Sequence, residues 1–371
     1  MAKYKLGDIC EIVSGCTPKT GIDEYWNGDI KWITPAELSD ESYVISDSVR
    51  KITDLAVKKT GMTSLPVGTV LLSSRAPIGK VAIAGCEMYC NQGFKNLICS
   101  DNINNRYLYW FLKGNTAFLN SLGRGATFKE ISKSIVSEIE INVPDIQEQE
   151  EAVANLEKIN KVIALRKREL VLLEDLISAR FVEMFGDPLD KKIANMIFAD
   201  CLEFNPKKSE VKDLQDIQAS FVPMECIGTD GSFAIKDKGI IREYYKGYTY
   251  FRDGDVLLAK ITPCFENGKV AIAENCENGI GFGTTEFHVL RPRKDISNSY
   301  WIKYLLKNER VHELATMNMS GSAGQKRIQT PFFEKLRIYL PPIELQNQFA
   351  DFVRATDKLK LATSPQTTLA A

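Results

Sequence analysis

Gly68-Thr-Val-Leu-Leu-Ser-Ser74, followed by Gly79-Lys-Val-Ala-Ile-Ala84, is answered later in the chain by Gly254-Asp-Val-Leu-Leu-Ala-Lys260, followed by Gly268-Lys-Val-Ala-Ile-Ala273. Each copy reads as two short apolar strands separated by a turn. A second pair of stretches closes each copy. Ile139-Glu-Ile-Asn-Val-Pro-Asp-Ile-Gln-Glu-Gln149 reappears as Leu336-Arg-Ile-Tyr-Leu-Pro-Pro-Ile-Glu-Leu-Gln346, so that Pro144 aligns with Pro341 and Gln149 with Gln346. The offset drifts from 186 residues at Gly68/Gly254 to 197 at Pro144/Pro341, as loop insertions in a duplicated domain would produce. A domain-sized unit present twice points to a protein that grips something with two similar hands.

With 371 residues the chain has room for two domains that each bury a core. Its hydrophobic fraction of 44% and charged fraction of 26% are those of a globular protein. No stretch is apolar enough for a membrane span, and the opening Met-Ala-Lys-Tyr-Lys-Leu lacks the apolar region of a signal peptide, so a cytoplasmic location is expected. Nine cysteines without paired spacing and only two histidines, His288 and His312, argue for reduced thiols and no metal. The net charge of −1 speaks against a protein that coats nucleic acid, though not against a local basic groove or a basic partner.

Residues 1–145 form the first unit. It starts with Leu6-Gly-Asp-Ile-Cys-Glu-Ile-Val, read as a short helix, and continues in short strands and turns to a helix over about 105–123. Tyr107, Trp110, Phe111 and Phe118 lie largely on one face of that helix and are expected to pack on the sheet. Residues 146–186 form a long helix without Pro or Gly before Gly186; at 1.5 Å per residue it is a rod of roughly 60 Å. Leu156, Ile163, Leu170, Ile177 and Met184 fall seven apart, with Ile159 and Leu173 at the companion position, which is a coiled-coil seam. The second unit covers 187–341. A second seam follows in 342–362, carried by Leu345, Phe349, Phe352 and Leu359, and 363–371 reads as a tail. The second helix is roughly half as long as the first, which is expected to leave Leu170, Leu173, Ile177 and Met184 without partners inside the chain and free to face another subunit or a second copy.

Catalytic signatures are missing from the sequence. It holds no phosphate-binding Gly-x-x-x-x-Gly-Lys-Ser/Thr loop, no Gly-x-Gly turn of a dinucleotide fold, and no Asn-Pro-Pro-Tyr or Asp-Pro-Pro-Tyr tetrapeptide. Pro144-Asp145 reads as a helix start rather than part of a nuclease motif. The repeated loops, in contrast, carry the residue types that contact nucleic acid. Arg75 and Lys80 bracket the first hairpin turn, and Lys260, Thr262 and Lys269 bracket the second. A later matched pair of loops holds Arg124, Thr127 and Lys129 in one copy and Gln325, Lys326 and Arg327 in the other. Arg donates two bonds to guanine, whereas Lys and Thr suit phosphate or single base contacts. A third matched pair, Glu37 and Glu225, is explained either by cytosine contact or by capping of the turn after Pro35 and Pro223.

Taken together, the repeated Gly-(Thr/Asp)-Val-Leu-Leu and Gly-Lys-Val-Ala-Ile-Ala blocks, the two Pro-containing junctions and the long helix ending Arg180-Phe-Val-Glu-Met-Phe-Gly-Asp resemble the specificity subunits of type I restriction-modification systems. The resemblance covers nearly the whole chain in order. It implies an α+β fold of two repeated target recognition domains, separated by long helices that form an antiparallel coiled coil, and a non-catalytic chain that reads a bipartite, asymmetric double-stranded DNA site. It further implies two methyltransferase subunits docked on the helices and restriction subunits beyond them, with S-adenosylmethionine, ATP and Mg bound by those partners and no cofactor in this chain. Two other readings of the residues stay open: the recognition half of a split methyltransferase-nuclease, and a coiled-coil scaffold without DNA specificity.

Overall fold

The computed structural model describes residues 2–125, 129–322 and 324–363, so Thr127 of the late loop and 364–371 of the tail lie outside the described residues. The chain divides into two compact units, Met1–Ala164 and Leu165–Ala371, with the division falling inside the long helix.

In the first unit the hairpin Val70–Leu72/Val81–Ala84 sits inside a five-stranded sheet, bordered by Lys95–Cys99 and then Cys10–Ser14 on one side and by Val44–Ile45 on the other. Every residue of the hairpin strands is buried, because both faces of the sheet are covered. Alternation sends Val70, Leu72, Val81 and Ile83 to one face, where Leu108, Tyr109 and Leu112 of the helix Asn105–Gly114 pack on them. Leu71, Ala82 and Ala84 point the other way, onto Ile33, Leu38, Met88 and Phe94. The second unit repeats this plan. Its sheet runs Leu202–Phe204, Phe287–Pro292, Val256–Ala259, Val270–Ile272. Val256, Leu258, Val270 and Ile272 meet Trp301, Ile302 and Leu305 of the helix Ser299–Lys307, while Leu257, Ala271 and Ala273 meet Val222, Ile227, Phe251 and Phe287. Gly68 and Gly254 open the two hairpins at the same φ of 89°, a left-handed backbone that explains why glycine stands at both positions.

The two junction motifs work as a duplicated clamp. Gln149 is fully buried; its side-chain carbonyl accepts from Asn104 N–H at 2.8 Å, and its amide donates to the carbonyls of Asn102 at 3.1 Å and Pro144 at 2.9 Å. Gln346, also fully buried, accepts from Asn298 N–H at 2.9 Å and donates to the carbonyls of Ile296 at 3.0 Å and Pro341 at 2.8 Å. Asn104 and Asn298 are themselves the caps of the helices that cover the sheets, accepting from Arg106 N–H at 2.8 Å and Tyr300 N–H at 2.9 Å. Each glutamine thus ties the start of a junction helix to the cap of a covering helix.

Three local expectations change. Leu6–Ile9 is one helical turn only, and Cys10–Ser14 continues as a strand paired with Lys95–Cys99. The helix over 105–123 is two pieces, Asn105–Gly114 and Thr116–Leu122, broken at Asn115. Its sheet-facing residues are Leu108, Tyr109 and Leu112, with Tyr107, Trp110 and Phe111 partly buried beside them and Phe118 47% exposed.

The long helix is continuous over Ile146–Phe185, with Asp145 capping it through Glu148 N–H at 2.8 Å, and ends at Gly186 with φ of 68°. Inside the second unit its last turns pack antiparallel on the helix Ile343–Thr363: the Phe349 ring lies 5.5 Å from both Phe181 and Phe185, and Lys360 meets Glu174 at 2.6 Å. The expectation that Leu170, Leu173, Ile177 and Met184 lack partners is corrected by this pairing for Ile177 and Met184. Ile177 is fully buried with Phe349 and Val353, Met184 packs against the same core, and Leu170 and Leu173 are half-buried. The 21-residue helix suffices because its start meets Phe181 and Phe185 and its end reaches Glu174, while Tyr304 of the covering helix contributes a third side. Leu345 and Phe352 join as partly buried seam residues, but Leu359 is exposed, as are Leu156, Ile159 and Ile163 earlier on the long helix.

Candidate nucleic-acid interface

In each unit the hairpin turn and the late loop, distant in sequence, are joined by the same pair of backbone bridges. In the first unit Arg75 pairs with Glu130, and Glu130 with Arg124. Backbone hydrogen bonds link Arg124 and Glu130 in both directions at 2.9 and 3.0 Å, and Ile131 N–H donates to the Ser74 carbonyl at 3.0 Å. In the second unit Ile261 pairs with Arg327, and Arg327 with Ser320. Ser320 and Arg327 exchange bonds of 2.8 and 3.0 Å, and Ile328 N–H donates to the Lys260 carbonyl at 2.9 Å. Directly opposed residues of an antiparallel pair project to the same side. The first unit therefore shows a row Arg75, Glu130, Arg124, and the second a row Ile261, Arg327, Ser320.

The neighbouring sheet strand braces each row from behind. Lys95, whose side chain is 9% exposed, donates to Glu130 at 3.0 Å and to the Ser74 hydroxyl at 3.4 Å. His288 holds the corresponding place in the second unit, two residues before the strand partner of Val256, with Nε2 2.9 Å from the Ile328 carbonyl. Burial pushes the His288 imidazole below its ordinary range, so it is neutral at pH 7 and donates to that carbonyl. Arg327 is gripped by Glu286 through two parallel bonds, Nε to Oε2 and Nη2 to Oε1, both 2.9 Å. The Arg327 guanidinium in turn holds the Glu286 carboxyl below the usual carboxylate range.

The structure sorts the sequence-derived candidates into two groups. Arg75, Arg124 and Lys129 in the first unit and Lys260 and Lys326 in the second have no ion-pair partner among the described residues; Arg124, Lys129 and Lys326 are exposed, and so is Gln325. Others are engaged in the fold. Lys80 donates to the Leu38 carbonyl, and its counterpart Lys269 donates to the Met224 carbonyl at 3.0 Å, so each lysine ties its strand to a 3-10 turn. Thr262 donates to Glu266 at 2.7 Å. Glu37 caps its turn, accepting from Thr34 N–H at 2.8 Å and Val49 N–H at 2.7 Å, and Glu225 pairs with Lys236 at 2.5 Å. Sequence reasoning missed Lys95, Glu130 and Glu286. A charged residue at the start of a strand, as Lys95 begins Lys95–Cys99, was the available signal for the first of them.

Comparison with known proteins assigns this arrangement to a family. The model of the type I restriction modification DNA specificity domain matches residues 1–175 and again 200–368. The chain is 40% identical over 217 residues to the type I restriction enzyme MjaIX specificity subunit of Methanocaldococcus jannaschii, covering 57% of this chain and 50% of that protein. It is 44% identical over 161 residues to the EcoAI specificity subunit of Escherichia coli, covering 43% of this chain and 26% of that protein. The matches thus span half or less of these curated relatives. Among solved structures, the S subunit of a type I restriction-modification system from M. genitalium shares the fold with a TM-score of 0.53 at 13% identity, covering 98% of this chain and 90% of that one. A chain from a structural study of assembly and conformational transition in a type I system gives 0.55 at 17% identity, covering 98% and 94%. With an α+β fold built twice, and a family model that matches once in each half, this chain belongs to the type I restriction modification DNA specificity domain family.

Proposed function

We propose that this chain is the DNA-reading subunit of a type I restriction-modification complex, each unit reading one half of a split site in double-stranded DNA. The observation that carries the reading is the loop pair built twice on one backbone plan with different side chains. A conserved frame bearing unlike residues is what two unlike half-sites require. Arg75 and Arg124 are the base-contact candidates of the first unit, where guanidinium groups meet the guanine edge. Lys129, Lys260 and Lys326 suit phosphate, with Gln325 as a neutral amide able to pair with adenine. With a net charge of −1, the chain leaves a large share of phosphate neutralisation to its partners.

Under this reading the chain performs no chemistry. Methyltransferase subunits, two per chain, dock on the helices, where Leu156, Ile159 and Ile163 are exposed. They bind S-adenosylmethionine, flip the target adenine and methylate it. Restriction subunits use ATP and Mg to cleave unmodified DNA. The test is selection from a randomised duplex library by the full chain copurified with its methyltransferase. Enrichment of a two-part motif, with affinity falling linearly in log salt, is the expected result. Retention of DNA without any enriched sequence would refute the reading.

A further inference from the structure

We infer that Arg327 reads a guanine in the half-site of the second unit and that Glu286 is its positioning residue, an inference that rests on the DNA-reading function proposed above. Glu286 occupies the Nε and Nη2 edge of the guanidinium through two bonds of 2.9 Å, while Nη1 makes only a 3.3 Å contact with the Gln325 carbonyl. The end of the fork, formed by Nη1 and the second hydrogen of Nη2, stays available, and the Arg327 side chain is 35% exposed. That end carries the two donors that match guanine O6 and N7.

The pairing argues for a base rather than a phosphate. A carboxylate on one edge cancels most of the long-range charge of arginine, which weakens its value against a phosphate. It also fixes the plane of the fork, which is what bidentate recognition of a base edge needs. The lysines nearby are the opposite case, since Lys326 and Lys260 have free charge without a fixed plane. The backbone under Arg327 is also fixed, by the exchanged bonds with Ser320 at 2.8 and 3.0 Å and by the neighbouring Thr262 N–H to Lys326 carbonyl bond at 3.0 Å. Glu286 is tied in through its own carbonyl, which accepts from Lys260 N–H at 2.9 Å, and through its N–H, which donates to the Thr284 hydroxyl at 3.2 Å. At the matching position the first unit carries Glu130, held by Lys95, so a guanine read in this way belongs to the second half-site alone.

The experiment compares the wild-type chain with R327A, R327K and E286Q, each coexpressed with the methyltransferase, by sequencing modified bases over sites randomised in the half read by the second unit. The wild type should demand guanine at one position of that half. R327A should relax this demand by about 5- to 150-fold at that position alone, and E286Q should relax it partly at the same position. R327K keeps the charge but loses the planar fork, so it should behave like R327A, and it decides the matter should the alanine variant not fold. In parallel, K326A should lower the salt slope of DNA binding by about one while R327A leaves it unchanged. Unaltered base preference in R327K and E286Q would overturn the inference, as would a uniform loss across all sequences accompanied by a reduced salt slope. A wild-type chain that directs no sequence-specific methylation would overturn the DNA-reading function itself, before any variant is compared.

Discussion

Replacing Gln346 by leucine keeps the volume of a fully buried side chain and removes its three hydrogen bonds. Asn298 N–H and the carbonyls of Ile296 and Pro341 then lose these partners, and the Pro341 carbonyl is left unpaired in a buried place. At about 1 kcal/mol net for each bond, and more where a buried group is left unpaired, the loss is about 2–4 kcal/mol. For a unit of this size each kcal/mol is worth roughly 2–4 °C, so melting of the second unit should fall by about 4–16 °C. Because the two units need not unfold together, the assay that resolves them is hydrogen exchange read by peptide. Protection should drop over 296–307, where Asn298 caps the covering helix, and the first unit should be unaffected. The glutamate variant supplies a sign test. Its second oxygen would face two carbonyls, so protonation is favoured in the folded state, the folded pKa is raised, and the variant should lose stability relative to wild type as pH rises from 4 to 8. Gln149→Leu should reproduce all of this in the first unit. If Gln346→Leu melted within 0.5 kcal/mol of wild type with protection intact, a margin set by the ordinary spread of surface substitutions, the clamp argument would be refuted.

Three further outcomes follow from the same structure. Glu174 loses solvation in its site, which raises its pKa, but Lys307 and then Lys360 outweigh that and leave it lowered from 4.5, with Lys303, Asp357 and Tyr304 also facing the cluster. The stability it contributes is present above the unfolded value and disappears as pH falls through the folded one, so Glu174→Gln should be destabilised at pH 7 and approach wild type as pH falls below about 4 in chemical denaturation. Gly254→Ala meets no atom within 4 Å and pays only for its φ of 89°, about 1–2 kcal/mol, whereas an asparagine there should recover part of that loss in thermal melting. Lys269→Met leaves the Met224 carbonyl without its lysine and should cost about 1–2 kcal/mol while leaving the salt slope of DNA binding unchanged; a slope reduced by one would make Lys269 a phosphate contact instead.

The doubled architecture was legible because the strands of the hairpin are continuous apolar runs, buried on both faces, with a glycine forced by backbone geometry at the start of each. The junction glutamines could be aligned, but nothing in their spacing revealed that they cap the caps. The seam was harder to read. A heptad count selects Leu156 and Ile163, which are exposed, and passes over Phe181 and Phe185, whose rings fill the contact with Phe349. Burial along that helix follows what lies against it, and the neighbours of the last turns come from two other helices. At the loops the cations were visible as residue types. Glu286, Glu130 and Lys95 were not, because Glu286 meets Arg327 and Lys95 meets Glu130 only after backbone bridges join segments far apart in sequence.

That each unit reads its own half of one DNA site is decided by single-molecule sequencing of modified bases in cells that express this chain with the methyltransferase subunit proposed to partner it, against cells that express that methyltransferase alone. The expected result is a new two-part motif, methylated on adenine in both halves and dependent on this chain, whose first half alone changes when Arg75 and Arg124 are replaced by alanine. A motif that is unchanged without this chain, or a substitution in the first unit that rewrites both halves together, would contradict it.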